Sequence, residues 1–118
     1  MKKNKIIKTF IDGREWDVEF DPKVAGGWFS GKENYIKIGM KNTTNQEMSQ
    51  IIIHELLEAI CTTRSTRYKL PYDSDDNGHF LFAFNHLQFE QIVNDLYLAI
   101  KPFLKTFEKK DKQNRKHF

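Results

Sequence analysis

"TNQEMSQIIIHELLEAI", residues 44–60, opens on a helix-capping signature and then sets a histidine and two glutamates among aliphatic side chains. Thr44 followed three residues later by Glu47 fits the capping-box pattern, in which side chains satisfy backbone N–H groups left unpaired at a helix start. Ile53, Leu56, Leu57 and Ile60 recur at helical spacing, so one helix is expected over roughly residues 45–65 with that stripe in the core. At about 100° per residue, His54 and Glu58 fall within about 40° of each other, one turn apart, with Glu55 about 60° further round the same side. Ile51 lies among these three and Ile52 borders them, so the helix start is expected to be covered on more than one side. Carboxylates placed there need partners, because an unpaired buried charge is costly, and a divalent cation is one such partner.

Upstream of the helix the period is two. "KIIKTFIDGREWDVEF", residues 5–20, alternates on both sides of Asp12-Gly13, a dipeptide favoured in two-residue turns between antiparallel strands. Asp21-Pro22 breaks the pattern, "AGGWFSGKEN" (25–34) reads as loop, and "NYIKIGM" (34–40) alternates again as a third, edge strand. Downstream, "RSTRYKLPYDSDDNG" (64–78) reads as a connection and "HFLFAF" (79–84) as a short fourth strand. Asn85, with Gln88 three residues on, caps a second long helix carrying Phe89, Ile92, Val93, Leu96, Ile100 and Phe103, and Pro102 ends or kinks it. The expected fold class is α+β: a small, mostly antiparallel sheet, hairpin plus edge strand, packed on two long helices.

The chain of 118 residues suits one domain, expected over residues 1–104, with a basic, mobile tail at 105–118. A net charge of +3 hides its distribution: residues 1–8 and 105–118 each carry +4, which leaves −5 for the body between them. A basic binding face on the body is therefore not implied, and weak, salt-sensitive nucleic-acid contact is expected only through the tails. The single cysteine, Cys61, excludes an internal disulfide framework and suits a cytoplasmic, reducing setting. No stretch approaches membrane-spanning length, so no membrane partner is expected.

His54 and Glu58 have the i, i+4 geometry of two metal ligands from successive turns, with Glu55 beside them as general base for an attacking water. A third ligand must come from elsewhere. His86 is the candidate, since as first residue of the second helix it shares a face with Phe89, Val93 and Tyr97, and a helix N-terminus favours the neutral, metal-binding imidazole. His79, beside Gly78, competes for the place.

"His54-Glu55-x-x-Glu58" resembles the HExxH helix of zincin metallopeptidases, and the strand–turn–capped-helix order of residues 24–100 is similar to that of short zincin-like proteins of bacteriophages and mobile elements. The resemblance implies a twisted sheet on the motif helix, zinc (Zn2+) as cofactor, hydrolysis of peptide or protein substrates, His54 as ligand and Glu55 as general base. "YIKIG" would then align the substrate by edge pairing. Where the family has a second histidine this chain has Glu58, so helix and downstream ligand types are exchanged. The alternative is a non-catalytic protein of zincin fold that binds a host or phage macromolecule.

Other motifs are weaker. Asp73 to Gly78 copies the first half of a calcium loop, but Phe84 stands where the closing glutamate is required. Phe80, Phe82, Phe84 and Phe89 are expected in the core rather than as a base-stacking platform, since no Lys or Arg is interleaved. Tyr68 and Tyr72 are expected at the surface, with assistance to an oxyanion as their functional alternative, and Cys61 is expected in the core.

Overall fold

Asp12 and Gly13 both take positive φ, 50° and 75°, the left-handed conformation that a two-residue type I′ turn demands. They join β1 (Lys5–Ile11) to β2 (Arg14–Asp21) in an antiparallel register that closes on Ile11 opposite Arg14, as the sequence predicts. The computed structural model describes residues 3–69, 80–105 and 107. Three sequence readings lie outside these residues: the 73–78 turn, Tyr72 and His79, as does the basic tail apart from Lys105 and Phe107. At the other end, Lys8 belongs to β1 and its ammonium pairs with Glu15 and Asp17 across the hairpin.

The sheet is mixed rather than mostly antiparallel. The stretch read as loop contains β3 (Gly27–Ser30), and "YIKIG" is β4 (Tyr35–Gly39). The order is β1-β2-β4-β3, with β2 and β4 parallel and β3 antiparallel to β4. "YIKIG" is therefore an inner strand, and β3 holds the edge expected of it. The reason lies in the segment after Asp21: instead of hairpinning back, the chain crosses over, makes β3, and returns between β3 and β2. Gly39 allows the crossing, because a Cβ there would stand 2.5 Å from the Gly26 carbonyl oxygen and 2.6 Å from Val24 O. The Gly39 N–H donates to that same Gly26 oxygen at 2.6 Å.

Alternation then assigns the faces. Thr9, Ile11, Trp16, Val18, Phe20, Ile36 and Ile38 point to the covered side, where α1 (Asn45–Thr63) and α2 (His86–Ile100) lie, while Lys8, Glu15, Asp17, Glu19 and Lys37 point outward. Thr44 caps α1 by accepting from the Glu47 N–H, and a complete capping box joins Asn85 and Gln88 at the start of α2. Of the two helices only the first, at 19 residues, is long; α2 has 15 and passes at Pro102 into a short 3-10 turn that buries Phe103 against Phe20. A separate pair, β5 (Arg67–Lys69) and β6 (Phe80–Phe82), is antiparallel. No helix among the described residues is long and apolar enough to cross a membrane.

Both helices are rotated from their expected faces. On α1 the buried row is Ile52, Glu55, Leu56, Ala59 and Ile60, with Cys61 buried as expected, whereas Ile53 and Leu57 are only half-buried. On α2 the buried row is Ile92, Asp95 and Ala99; Phe89 and Val93 are exposed. A charged residue at the middle of that row explains the shift. Asp95 accepts from Arg64 Nε at 2.7 Å and Nη2 at 3.0 Å, tying the end of α1 to α2, and Arg64 also reaches Asp12 at 3.5 Å in the hairpin turn. Such bidentate pairs are strong because both planar groups match. Asp95→Ala leaves the guanidinium, which is partly exposed, without its principal partner. The expected loss is about 2–3 kcal/mol, below the range for a wholly buried pair because water reaches Arg64. Denaturant unfolding of the variant measures it.

Candidate metal centre

Glu55 owes its place to the rotation of α1. Its side chain lies on the row that faces the sheet and only 5% of the residue is exposed, while His54, one residue earlier, has an open side chain and Glu58 is half-buried. The strand above it begins with Gly27. A Cβ at that position would stand 2.9 Å from Ile51 Cγ2 and 3.0 Å from Glu55 Cγ, so the missing side chain is what lets edge strand β3 settle on the helix.

The helix brings three donors together. His54 Nε2 is 3.7 Å from Glu55 Oε2 and 3.5 Å from Glu58 Oε2, and one ligand atom from each of the three residues lies within 4.8 Å of the others. Arg67, the first residue of β5, places Nη2 4.0 Å from Glu58 Oε1. Two carboxylates therefore face one guanidinium and one imidazole. Burial raises the pKa of Glu55 above the ordinary glutamate value and the Glu58 charge adds to the rise, while His54 and Arg67 oppose it.

That rise has a consequence for stability. Since folded protein holds the Glu55 proton more tightly than unfolded chain does, the contribution is fully present below about pH 4.3, the ordinary glutamate value, and is lost as pH rises through the raised value. Metal-free protein is expected to weaken over that rise, and Glu55→Gln to flatten the curve. Denaturant midpoints at a series of pH values check this; identical pH slopes in the two proteins would refute the assignment.

Three concave regions meet at His54. One of about 440 Å³ runs past Gly27, Glu47, Gln50 and Ile51; one of about 470 Å³ is lined by Gly27, Trp28, Phe29, Glu55, Glu58 and Arg67. The third, of about 380 Å³, is apolar and lies between α1, β6 and α2, bounded by Leu57, Cys61, Phe82, Phe84, Phe89 and Ile92 as well as Glu58. Phe82, Phe84 and Phe89 thus line an open hollow instead of filling the core, with Phe84 and Phe89 stacked at 6.0 Å.

His86 does not join the cluster. Its side chain is 84% exposed, and Nδ1 stands 3.5 Å from Glu90 Oε1 on its own helix. The expectation that it points inward with Phe89, Val93 and Tyr97 fails because that whole row is open; the buried row is one step round. Among the described residues, the third donor near His54 and Glu58 is Glu55. Tyr68 is exposed, as expected. Arg67, Gly27 and Phe29 were not legible as site residues: Arg67 sits in a polar stretch that reads as connection, and only the alternation Arg67-Tyr68-Lys69 hints at a strand. Comparison with protein-family models, with curated proteins and with solved structures finds no match for this chain.

Proposed function

We propose that the chain is a zinc-dependent hydrolase of peptide bonds, organised on the zincin-like plan in which one helix supplies two of the three ligands and the proton acceptor, the third ligand coming from elsewhere in the chain. The observation that supports it is the convergence of His54, Glu55 and Glu58 at the foot of an edge strand. One imidazole and two carboxylates are donors that zinc accepts, and the negative charge they create, buried at Glu55 and half-buried at Glu58, fits a divalent cation. His54 and Glu58 would hold it. When bound, the ion supplies a Lewis acid for the substrate carbonyl and makes a water at the site more acidic.

The remaining roles belong to the chain. Glu55 takes a proton from the attacking water at its carboxylate and returns it to the departing nitrogen; its burial fixes the carboxylate's direction and raises its affinity for the proton above that of an ordinary glutamate. β3, Gly27–Ser30, offers its free edge to an extended peptide by backbone pairing, the role expected of "YIKIG". Zinc titration of metal-stripped protein by calorimetry tests the reading, with unfolded casein as substrate: about one equivalent bound, and cleavage that stops on adding a chelator. His86→Ala is expected to leave zinc affinity within about twofold of wild type, because its imidazole stands outside the cluster. A large loss in that variant would restore His86 as ligand.

A second reading has its own support. Phe89, Val93 and Tyr97 form an exposed apolar row on α2, the kind of surface that a macromolecular partner covers. A chain that holds zinc but leaves casein intact favours a zincin-like scaffold that binds without hydrolysing.

A further inference from the structure

Arg67 is held in an unusual way for a half-buried cation. Its side chain is 17% exposed, its guanidinium carbon lies 3.6 Å from the centre of the Phe80 ring and 5.3 Å from that of Phe29, and Nε is buried with no hydrogen-bond partner among the described residues. Among the described residues the nearest carboxylate, on Glu58, is 4.0 Å away, beyond hydrogen-bond distance. Ring faces therefore fix the plane of the guanidinium without using its N–H donors. Contrast Arg64, whose donors are taken by Asp95 at 2.7 and 3.0 Å. A guanidinium so held, making no hydrogen bond among the described residues, on the wall of the 470 Å³ cavity that also contains His54, Glu55 and Glu58, is arranged to meet an acceptor that arrives from outside.

We propose that Arg67 is the anion-receiving residue of this cavity, binding an oxygen anion of the ligand that lies across the three-residue cluster. Two sources share that chemistry: a carboxylate carried by the substrate, or the carbonyl oxygen on which charge develops during attack. Cation–π support from Phe29 and Phe80 keeps the guanidinium from collapsing onto Glu58, which would otherwise cancel its charge. The inference rests on the reading above only for where the ligand lies. It is separable from it, because anion binding by Arg67 is measurable without zinc.

The probe is acetate, followed through the Arg67 Nε–H resonance and by titration of wild type, Arg67→Lys and Arg67→Met, each with and without zinc. Acetate is expected to shift the Arg67 resonance and to bind at least about tenfold more weakly to Arg67→Met, with Arg67→Lys between, since lysine keeps the charge but loses the fork. Zinc affinity is expected to stay near that of wild type in Arg67→Lys, which keeps the positive charge, and to be no weaker in Arg67→Met, which removes a cation 4.0 Å from Glu58 and no ligand atom. Binding that persists without zinc identifies a standing carboxylate site; binding only with zinc identifies the site of developing charge. Acetate that leaves the Arg67 resonance unmoved, or binds Arg67→Met as well as wild type, overturns the proposal. Absence of zinc binding in wild type instead overturns the hydrolase reading, while the zinc-free arm still judges Arg67.

Discussion

Hydrolysis of casein by the zinc-loaded chain is expected to fall about 100- to 10,000-fold in Glu55→Gln, the range that removal of a well-placed general base produces. Glutamine preserves the volume and reach of the side chain, so the packing under Gly27 is retained. It also removes a buried carboxylate held beside Glu58, so the metal-free variant is expected to be no less stable than wild type at neutral pH. His54 and Glu58 stay in place, and zinc remains bound. The assay therefore separates chemistry from structure: cleavage lost with zinc retained assigns Glu55 as proton acceptor. Zinc and cleavage lost together would make Glu55 a ligand, and unchanged cleavage would remove it from the mechanism.

Glu58→Ala is expected to have the second large effect, on the cation. This residue gives the cluster a carboxylate one helical turn from His54, at 3.5 Å. Its removal takes away both a donor atom and one of the two negative charges that draw the ion in. Zinc affinity is expected to drop on the order of 100-fold or more, since even changes behind the ligands cost about 10- to 100-fold. The same substitution relieves Glu55 of a repelling neighbour and leaves Arg67 with less negative charge nearby, so the fold itself is expected to survive. Calorimetric titration checks both points. Affinity unchanged within about twofold would exclude Glu58 as a ligand.

Local signals explain why some of this architecture is legible in the sequence. Asp12-Gly13 encodes its turn in backbone conformations that few other residue pairs accept, and Asn85 with Gln88 encodes a cap in side-chain reach. His54, Glu55 and Glu58 converge because helix geometry alone brings them together. What escapes is whatever depends on distant chain. β3 is four residues long and begins at a glycine whose purpose is contact with Ile51 and Glu55, so its own sequence resembles a loop. Parallel pairing of β2 with β4 is a crossover event with no local signature.

The helix faces are not legible in the sequence, for a common reason. Both helices carry more apolar positions than their core contacts use, and hydrophobic spacing cannot say which of two overlapping rows is buried. On α2 the answer is set by Asp95, a charged residue buried for the sake of Arg64, 31 positions away in sequence. On α1 it is set by Gly27, which admits Glu55 to the covered side. His86 belongs to the exposed row of α2, and Arg67 leaves no signal in the sequence because its neighbours, Phe29 and Phe80, come from two other strands.

Anomalous diffraction at the zinc absorption edge, from crystals grown with zinc, tests the central claim most directly. The account predicts a peak at about 2.0–2.2 Å, the usual zinc–ligand distance, from His54 Nε2 and a Glu58 carboxylate oxygen, with Glu55 alongside. A map with no peak there, or with zinc only at exposed sites such as His86 and Glu90, would contradict it.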